Sequence, residues 1–166
     1  IERPVRTQPA DRRSPSAKDH EGHRWSLDCT SPINIIGGVI MVTAKKAGEF
    51  SFTSTGVTYL EGSGGAGVAQ INLEGTATGF GAVLGTMTLY DDTPGSKTGR
   101  SSWIGVAFLD NGDQVQGSGE GFFEECGKHK WRTRSILRTS TGAVLLSDGI
   151  ISLDGRTYKG TLSEWS

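Results

Sequence analysis

The sequence predicts an all-β domain: an antiparallel up-and-down β-barrel of about eight or nine strands, calycin- or lipocalin-like, that follows an N-terminal arm. Val, Ile, Thr and aromatic residues alternate with polar ones, and glycine-containing turns recur roughly every ten residues. No window of the chain shows a convincing helical period. Consecutive hairpins close most simply into a barrel, because closure removes the exposed strand edges. A sandwich of two sheets is the alternative.

Composition narrows the classes of partner. The chain has 166 residues, which suits one domain. Its 17 Lys and Arg residues balance 18 Asp and Glu residues, so the formal net charge is -1 and no nucleic-acid partner is expected. No apolar run reaches the ~20 residues of a membrane-spanning helix, so no membrane partner is expected. Cys29 and Cys126 are the two cysteines; they form either one disulfide or two separate thiols. We expect a cytoplasmic protein.

The first part of the chain differs from the rest. Residues 1–24 contain three of the five prolines and six Lys or Arg residues against four Asp or Glu residues, with no periodic apolar pattern. This composition predicts an N-terminal arm or lid outside a barrel domain at 25–166. The arm either contacts a neighbouring subunit or lies over the mouth of the barrel. In the second case Arg12, Arg13 and His20 are suited to meet an acidic group on a ligand.

Hydrophobic alternation and turn residues divide the remainder into strands. A barrel of this size encloses a lumen that can hold one small ligand. Alternate glycines at 79–85 and 117–121 favour the tight coiling that closure requires. The strands are predicted at 33–44, 49–61, 66–77, 81–91, 101–110, 113–126, 129–138, 143–153 and 156–165.

The stretch 101–138 predicts which side chains face the lumen. A two-residue turn at Asn111-Gly112 and a second tight turn near Gly127-Lys128 fix the pairing of three strands, and side chains then alternate between the two faces. The last strand carries four cations on one face, which we expect to be outside. Under regular pairing the opposite, lumen face comprises Trp103, Leu109, Gln114, Gln116, Ser118, Glu120, Phe122, Trp131 and Thr133.

A different pairing gives a different core. If apolar faces point inward, Ile104, Val106, Phe108 and Phe123 fill the barrel and the glutamines are solvated. That arrangement requires a β-bulge next to Gly127, because a slip of one residue turns every side chain to the other face. Under regular pairing, by contrast, the outer wall is apolar around Val106 and Phe108. Such a wall indicates a subunit interface, and hence a homo-oligomer.

Most candidate catalytic and ligand-binding motifs lie in the wrong predicted secondary structure for their function. The histidines are His20, His23 and His129; the first two are three residues apart but lie in the arm with no helix to align them, so no metal is expected. The run GSGEG at 117–121 lies inside a strand and opens no helix, unlike a phosphate-binding loop. Glu120 and Glu124 would lie on one wall and do not flank a bond, as a glycosidase pair must. No cofactor is expected.

The architecture resembles a known family. The β-only meander, the polar arm and the stretches GSGEGFFEE and KHKWRTR resemble small calycin-like β-barrel cyclases, which include the allene oxide cyclase fold. The resemblance is closest to the spirotetramate-forming Diels–Alderases. It implies a cofactor-independent cyclase of natural-product biosynthesis that acts on a small, hydrophobic, polyketide-like polyene. A lipocalin-like carrier is the alternative, although the G-x-W glycine is missing before Trp25.

The cyclase interpretation assigns roles to the predicted lumen. A Diels–Alder reaction needs no nucleophile; the protein must bring diene and dienophile together and donate a hydrogen bond to the activating carbonyl. Gln114 and Gln116, whose amides can donate, are therefore the candidate catalytic residues together with Glu120. The candidate substrate-binding residues are Trp103, Phe122, Trp131, Thr133 and Leu109.

Overall fold

The computed structural model describes residues 44–165, and within them eight strands form one closed antiparallel barrel. Each strand pairs with the next in sequence, and the last pairs with the first, so the predicted barrel is confirmed. Over the same range, no helix has the length and apolar character to cross a bilayer. The strands are β1 (Lys45–Glu61), β2 (Gly67–Ala77), β3 (Gly81–Asp91), β4 (Thr98–Phe108), β5 (Gln114–Gly127), β6 (Lys130–Thr139), β7 (Val144–Ser152) and β8 (Thr157–Glu164).

The eight predicted strands from 49–61 onward correspond to these elements with shifts of a few residues at their ends. The ninth predicted strand, at 33–44, lies outside the described residues apart from its last position. The arm at 1–24, with Arg12, Arg13 and His20, also lies outside them. Of the predicted barrel domain at 25–166, the structure describes residues 44–165.

The up-and-down order gives the barrel two distinct mouths. Mouth A carries the β2–β3, β4–β5 and β6–β7 turns, the start of β1 and the end of β8, where Lys45 pairs with Glu164. Mouth B carries the other four turns and the end of β5, which includes Cys126. The chain thus enters the barrel at mouth A, at the opposite end from Cys126.

Aromatic rings fill the interior by lying directly on glycines of their own strand or of a neighbouring one. Gly85 and Gly105 are partners in register across β3 and β4. A Cβ atom at Gly85 would come within 2.5 Å of the Trp103 ring, and one at Gly105 within 2.7 Å. Phe123 lies on Gly99 in the same way, 2.7 Å from the Cβ position. These separations are far below van der Waals contact, so the rings occupy the space where the glycines lack a side chain.

The β4–β5 turn is one residue longer than predicted. The N–H of Leu109 donates to the carbonyl of Asp113, and the N–H of Gly112 donates to the carbonyl of Leu109, both at 2.9 Å. Gly112 has a φ of 89°, as in a type I turn followed by a left-handed glycine. Phe108 therefore pairs with Gln114, and the predicted pairing of Asp110 with Asp113 is wrong.

The β5–β6 connection contains a second irregularity. Glu125 pairs with Trp131 and Gly127 pairs with Lys130, so Cys126 is an extra residue on β5, that is, a β-bulge. The predicted pairing of Glu125 with Lys130 is therefore also wrong. The bulge lies next to Gly127, where the alternative core required one.

The longer β4–β5 turn and the bulge at Cys126 each shift the pairing by one residue. Together they turn the side chains of β5 to the opposite face and leave the orientation of β4 and β6 as predicted. On β4 and β6, Trp103, Trp131 and Thr133 point inward as predicted. Neither predicted core is complete, because Phe123 is buried whereas Ile104 and Phe108 face outward. On β5 the interior positions are Val115, Gly117, Gly119, Gly121 and Phe123, and the outward ones include Gln114, Gln116, Ser118, Glu120 and Phe122.

The glycine row allows a matched stability test. Replacement of Gly85 by Ala should lower the free energy of unfolding by about 1–3 kcal/mol, because the new methyl meets the Trp103 ring and the Ile104 carbonyl. Gly117 continues the same row on β5, but a Cβ there meets nothing within 4 Å, so Gly117→Ala should change stability by less than about 1 kcal/mol. Urea unfolding of both variants measures the difference. Equal losses would show that the ring–glycine contact does not limit packing.

Candidate ligand-binding cavity

A cavity of about 70 Å³ lies inside the barrel towards mouth A. Its wall is largely apolar and includes side chains from all eight strands as well as Phe80 in the β2–β3 turn. None of the described residues that line it carries a charge. The lining includes Phe50, Phe52, Phe80, Val83, Met87, Trp103, Ala107, Val115, Leu145, Tyr158 and Leu162, together with the hydroxyl residues Ser135, Thr139 and Ser147.

Four aromatic rings form one wall of this cavity. Phe52 stacks on Trp103 with ring centroids 5.7 Å apart and on Phe50 at 5.2 Å. Tyr158 tilts against Phe50 at 4.7 Å. These separations fall in the range of favourable aromatic pairs, and the glycines beneath the rings leave them little freedom to turn. The wall is therefore a preformed apolar surface.

Two serines bring hydroxyl groups to the cavity. Ser135 on β6 and Ser147 on β7 are partners in register, and both are buried. Ser135 Oγ lies 3.4 Å from Ser101 Oγ, and Ser147 Oγ lies 3.4 Å from Tyr158 Oη. Such distances are long for hydroxyl hydrogen bonds, which are strongest near 2.7–2.8 Å. Because a hydroxyl can donate one bond and accept two, both serines retain capacity for a ligand.

The hydroxyl of Tyr158 has a stronger partner inside the protein. Its Oη lies 2.9 Å from Thr133 Oγ1, and Thr133 is fully buried. Burial raises the pKa of Tyr158, an effect that its hydrogen bonds to Ser147 and Thr133 reduce and the charge of Asp148 increases. Tyr158 therefore remains a neutral hydroxyl at physiological pH. The ring of Tyr158 belongs to the apolar wall, and its hydroxyl contacts Thr133 on β6 and Ser147 on β7.

The structure separates the predicted site residues into two groups. Trp103 lines the cavity, Trp131 and Thr133 lie in the interior towards mouth B, and Leu109 is half-buried in the β4–β5 turn. The predicted inward orientation is wrong for the others, since β5 is turned over by the longer turn and the bulge. Those on the outer surface are Gln114, Gln116, Glu120 and Phe122.

The cations predicted to lie outside β6 do so, and two of them, Arg132 and Arg134, are paired with carboxylates. Arg132 Nε and Nη2 donate to the two carboxylate oxygens of Asp148 at 2.8 and 2.6 Å. These hydrogen bonds raise the pKa of Arg132. Arg134 Nη1 donates to Glu124 at 2.9 Å. The outer face of β5–β7 is thus a charge network, and Glu124 belongs to it rather than to a catalytic wall.

Several cavity residues are absent from the sequence prediction. Phe50, Phe52 and Tyr158 lie on the first and last strands, which pair across the barrel seam. A sequence pattern that predicts their inward orientation is present: the apolar residues of EFSFT at 49–53 and TYKGTL at 157–162 alternate with polar residues. Ser135 and Ser147 give no comparable signal, because serine is common on either face of a strand.

Comparison of the chain with protein-family models, with curated proteins and with solved structures finds no match. The geometry of the cavity is therefore the basis for assigning a function.

The buried tyrosine predicts a loss of stability at high pH. Because its pKa is raised in the native state, the folded protein keeps a proton that the unfolded chain releases near pH ~10. The contribution of this group is constant below that pH and is lost as the pH rises above it. Tyr158→Phe should reduce this alkaline loss, while costing about 1–3 kcal/mol at neutral pH because Thr133 loses its partner. Urea unfolding at about pH 7, 9 and 11 tests both effects. Identical alkaline profiles for the two proteins would contradict the assignment.

Proposed function

We propose that the barrel binds a small, predominantly apolar molecule through mouth A. The observation that carries this proposal is the pair of buried hydroxyls of Ser135 and Ser147, which face a largely apolar cavity and have unused hydrogen-bonding capacity. Ligand sites commonly combine an apolar wall with a few polar groups that fix orientation. Here the four aromatic rings supply the wall and the two serines supply the orienting groups.

The lining limits the chemistry of the ligand. The cavity offers a buried part of the ligand no counter-charge, and burying an unpaired charge costs several kcal/mol or more. The part that enters the barrel is therefore neutral, with one oxygen or nitrogen that reaches the serines. Any ionised group of the ligand remains at the mouth, in contact with water.

The volume limits how much of the ligand enters. About 70 Å³ is roughly half of the ~150 Å³ of an apolar cavity that admits benzene. Phe80 lies in the β2–β3 turn and is only partly buried, so it is the lining side chain best placed to move. Binding of a ring, or of the end of a longer chain, therefore involves displacement of Phe80 at mouth A.

A filled cavity provides the direct test of binding. Ala107→Leu adds bulk inside the cavity, whereas Ala82→Leu makes the same change on the exposed outer face of β3. Benzyl alcohol should bind to the wild type and to the Ala82 variant and should bind at least about tenfold more weakly to the Ala107 variant. Changes in NMR shifts of interior methyl groups give the affinities. Unchanged binding by the Ala107 variant would place the ligand elsewhere.

The serines are tested with a second probe. The double variant Ser135→Ala, Ser147→Ala should bind benzyl alcohol about 2–10-fold more weakly, the effect of one neutral hydrogen bond, and should bind benzene as the wild type does. Equal losses for both probes would indicate altered packing instead of a lost hydrogen bond.

We propose cyclisation of a bound polyene as a second candidate, in keeping with the resemblance to β-barrel cyclases. The same hydroxyl pair favours it, because a serine hydroxyl can donate to the carbonyl that activates a dienophile. The rigid aromatic wall would hold the diene by contact. In this version the donors are Ser135 and Ser147, since Gln114 and Gln116 face solvent.

Turnover distinguishes a cyclase from a carrier. The protein is incubated with a linear polyene that carries a tetramic or tetronic acid head, and the product is followed by a chromatographic shift at unchanged mass. A cyclase converts many equivalents, and its rate should fall by about tenfold or more in the double serine variant. A carrier binds one equivalent and returns it unchanged. Binding without turnover would exclude the cyclase and leave the binding function intact.

A further inference from the structure

We propose that two copies of the chain associate through an apolar patch on the outer face of β3 and β4, with a twofold axis that runs along β4. The patch consists of Leu84, Ile104, Val106 and Phe108, and we call it the β3–β4 patch. Its occupant is the same patch of the second copy. This inference gives a specific geometry to the homo-oligomer expected from the sequence, and it is independent of the interior cavity and of any ligand.

The β3–β4 patch is a contiguous exposed surface in the described part of the chain. Leu84 pairs with Val106 in register, and Phe108 and Ile104 are the next outward residues on either side of Val106 along β4. Ile104 is 67% exposed, Leu84 52% and Phe108 39%. Exposed apolar surface of this kind commonly marks an interaction site.

Two opposite charges flank the patch. Glu74 lies on β2 and Arg138 on β6, and each of these strands is two strands from β4, on opposite sides. At ~4.8 Å per strand, both are about 10 Å from β4 along the sheet. A groove of about 730 Å³ crosses this surface, and among its described lining residues only Glu74 and Arg138 are charged. The surface is therefore apolar along its middle, acidic on one side and basic on the other.

These two charges are available to a second molecule. Arg132 and Arg134, which lie on the same strand as Arg138, are held by carboxylates of their own chain. Arg138 and Glu74 form no ion pair with any described residue, and both are exposed. Each can therefore pair across an interface without giving up an ion pair within the described barrel.

A twofold axis along β4 brings the opposite charges together. It places β2 of one copy against β6 of the other, because the two strands are equally far from β4. Glu74 lies in the same cross-strand row as Gln116. Arg138 lies in the row of Ser118, two residues further along β5. The offset is about 7 Å at ~3.4 Å per residue, which the long side chains of Glu74 and Arg138 can bridge. The contact occurs twice in the dimer.

The apolar residues of β4 meet their own counterparts on this axis. Ile104, Val106 and Phe108 of the two copies then lie between two sheets with nearly aligned strands, an arrangement common in packed sheets. Burial of these side chains favours association. A twofold axis across the strands would instead place β2 against β2 and bring like charges together. Charge therefore selects the axis along β4.

Sedimentation velocity of the full chain tests the association. The unsubstituted protein should sediment as a dimer, and its chains should separate in non-reducing denaturing electrophoresis. Ile104→Lys places two ammonium groups against each other on the axis and should weaken dimerisation at least about tenfold. Leu60→Lys makes a comparable change at a 49% exposed position on β1 near mouth B and should leave the dimer intact. A monomeric unsubstituted protein, chains joined covalently, or equal effects of the two substitutions would overturn the proposal.

Charge reversal tests the symmetry, at two exposed positions that leave the barrel interior unchanged. Glu74→Arg leaves two cations at each contact and Arg138→Glu leaves two carboxylates, so each variant alone should dimerise at least about tenfold more weakly than the unsubstituted protein. An equimolar mixture restores an opposite-charge pair at both contacts, and it should form a heterodimer about as readily as the unsubstituted protein forms its dimer. Failure of the mixture to recover would show that Glu74 and Arg138 do not face each other across a twofold axis.

Discussion

The barrel depends on the contact between interior aromatic rings and the backbone of glycines on the same or an adjacent strand. Trp103 over Gly85 and Gly105 is the clearest case, and Phe123 over Gly99 repeats it at the other mouth. A ring can lie flat against the sheet only where the facing residue has no side chain. Eight strands enclose little space, so flat rings let large side chains fill the barrel without forcing it apart. The small cavity near mouth A is what remains after this packing.

The fold could be predicted from the sequence, but which side chains of β5 point into the barrel could not. Alternation and turn residues predict all eight strands of the described barrel, because these signals are local. The orientation of β5 depends on whether the turn before it has two or three residues and on the bulge at Cys126. Asn111-Gly112 is compatible with both turn lengths, and a single extra residue reverses every side chain on the strand. Gln114, Gln116, Glu120 and Phe122 are misplaced for that reason alone.

The candidate site also shows why chemistry was harder to predict than shape. Tyr158 and Phe50 meet only because the last strand closes on the first, a contact between positions distant in sequence. Ser135 and Ser147 are candidate binding residues because they are buried beside an apolar cavity, and no local sequence pattern predicts that burial. The state of Cys126 was equally open, because two cysteines without a recognisable spacing allow either a disulfide or separate thiols; the structure has Cys126 disulfide-bonded.

The seam between β1 and β8 has a consequence for how the molecule assembles. Among the described strands it is the one pairing that joins elements distant in sequence, since every other pair is a hairpin or a short connection. Lys45 meets Glu164 across an intervening chain of 118 residues, and closing that loop instead of a hairpin of about ten residues costs roughly 2 kcal/mol more in chain entropy. The other pairings are local, so each of them closes a much shorter loop than the seam does. Among the described strand pairings, closure of the barrel at this seam therefore carries the largest cost in chain entropy.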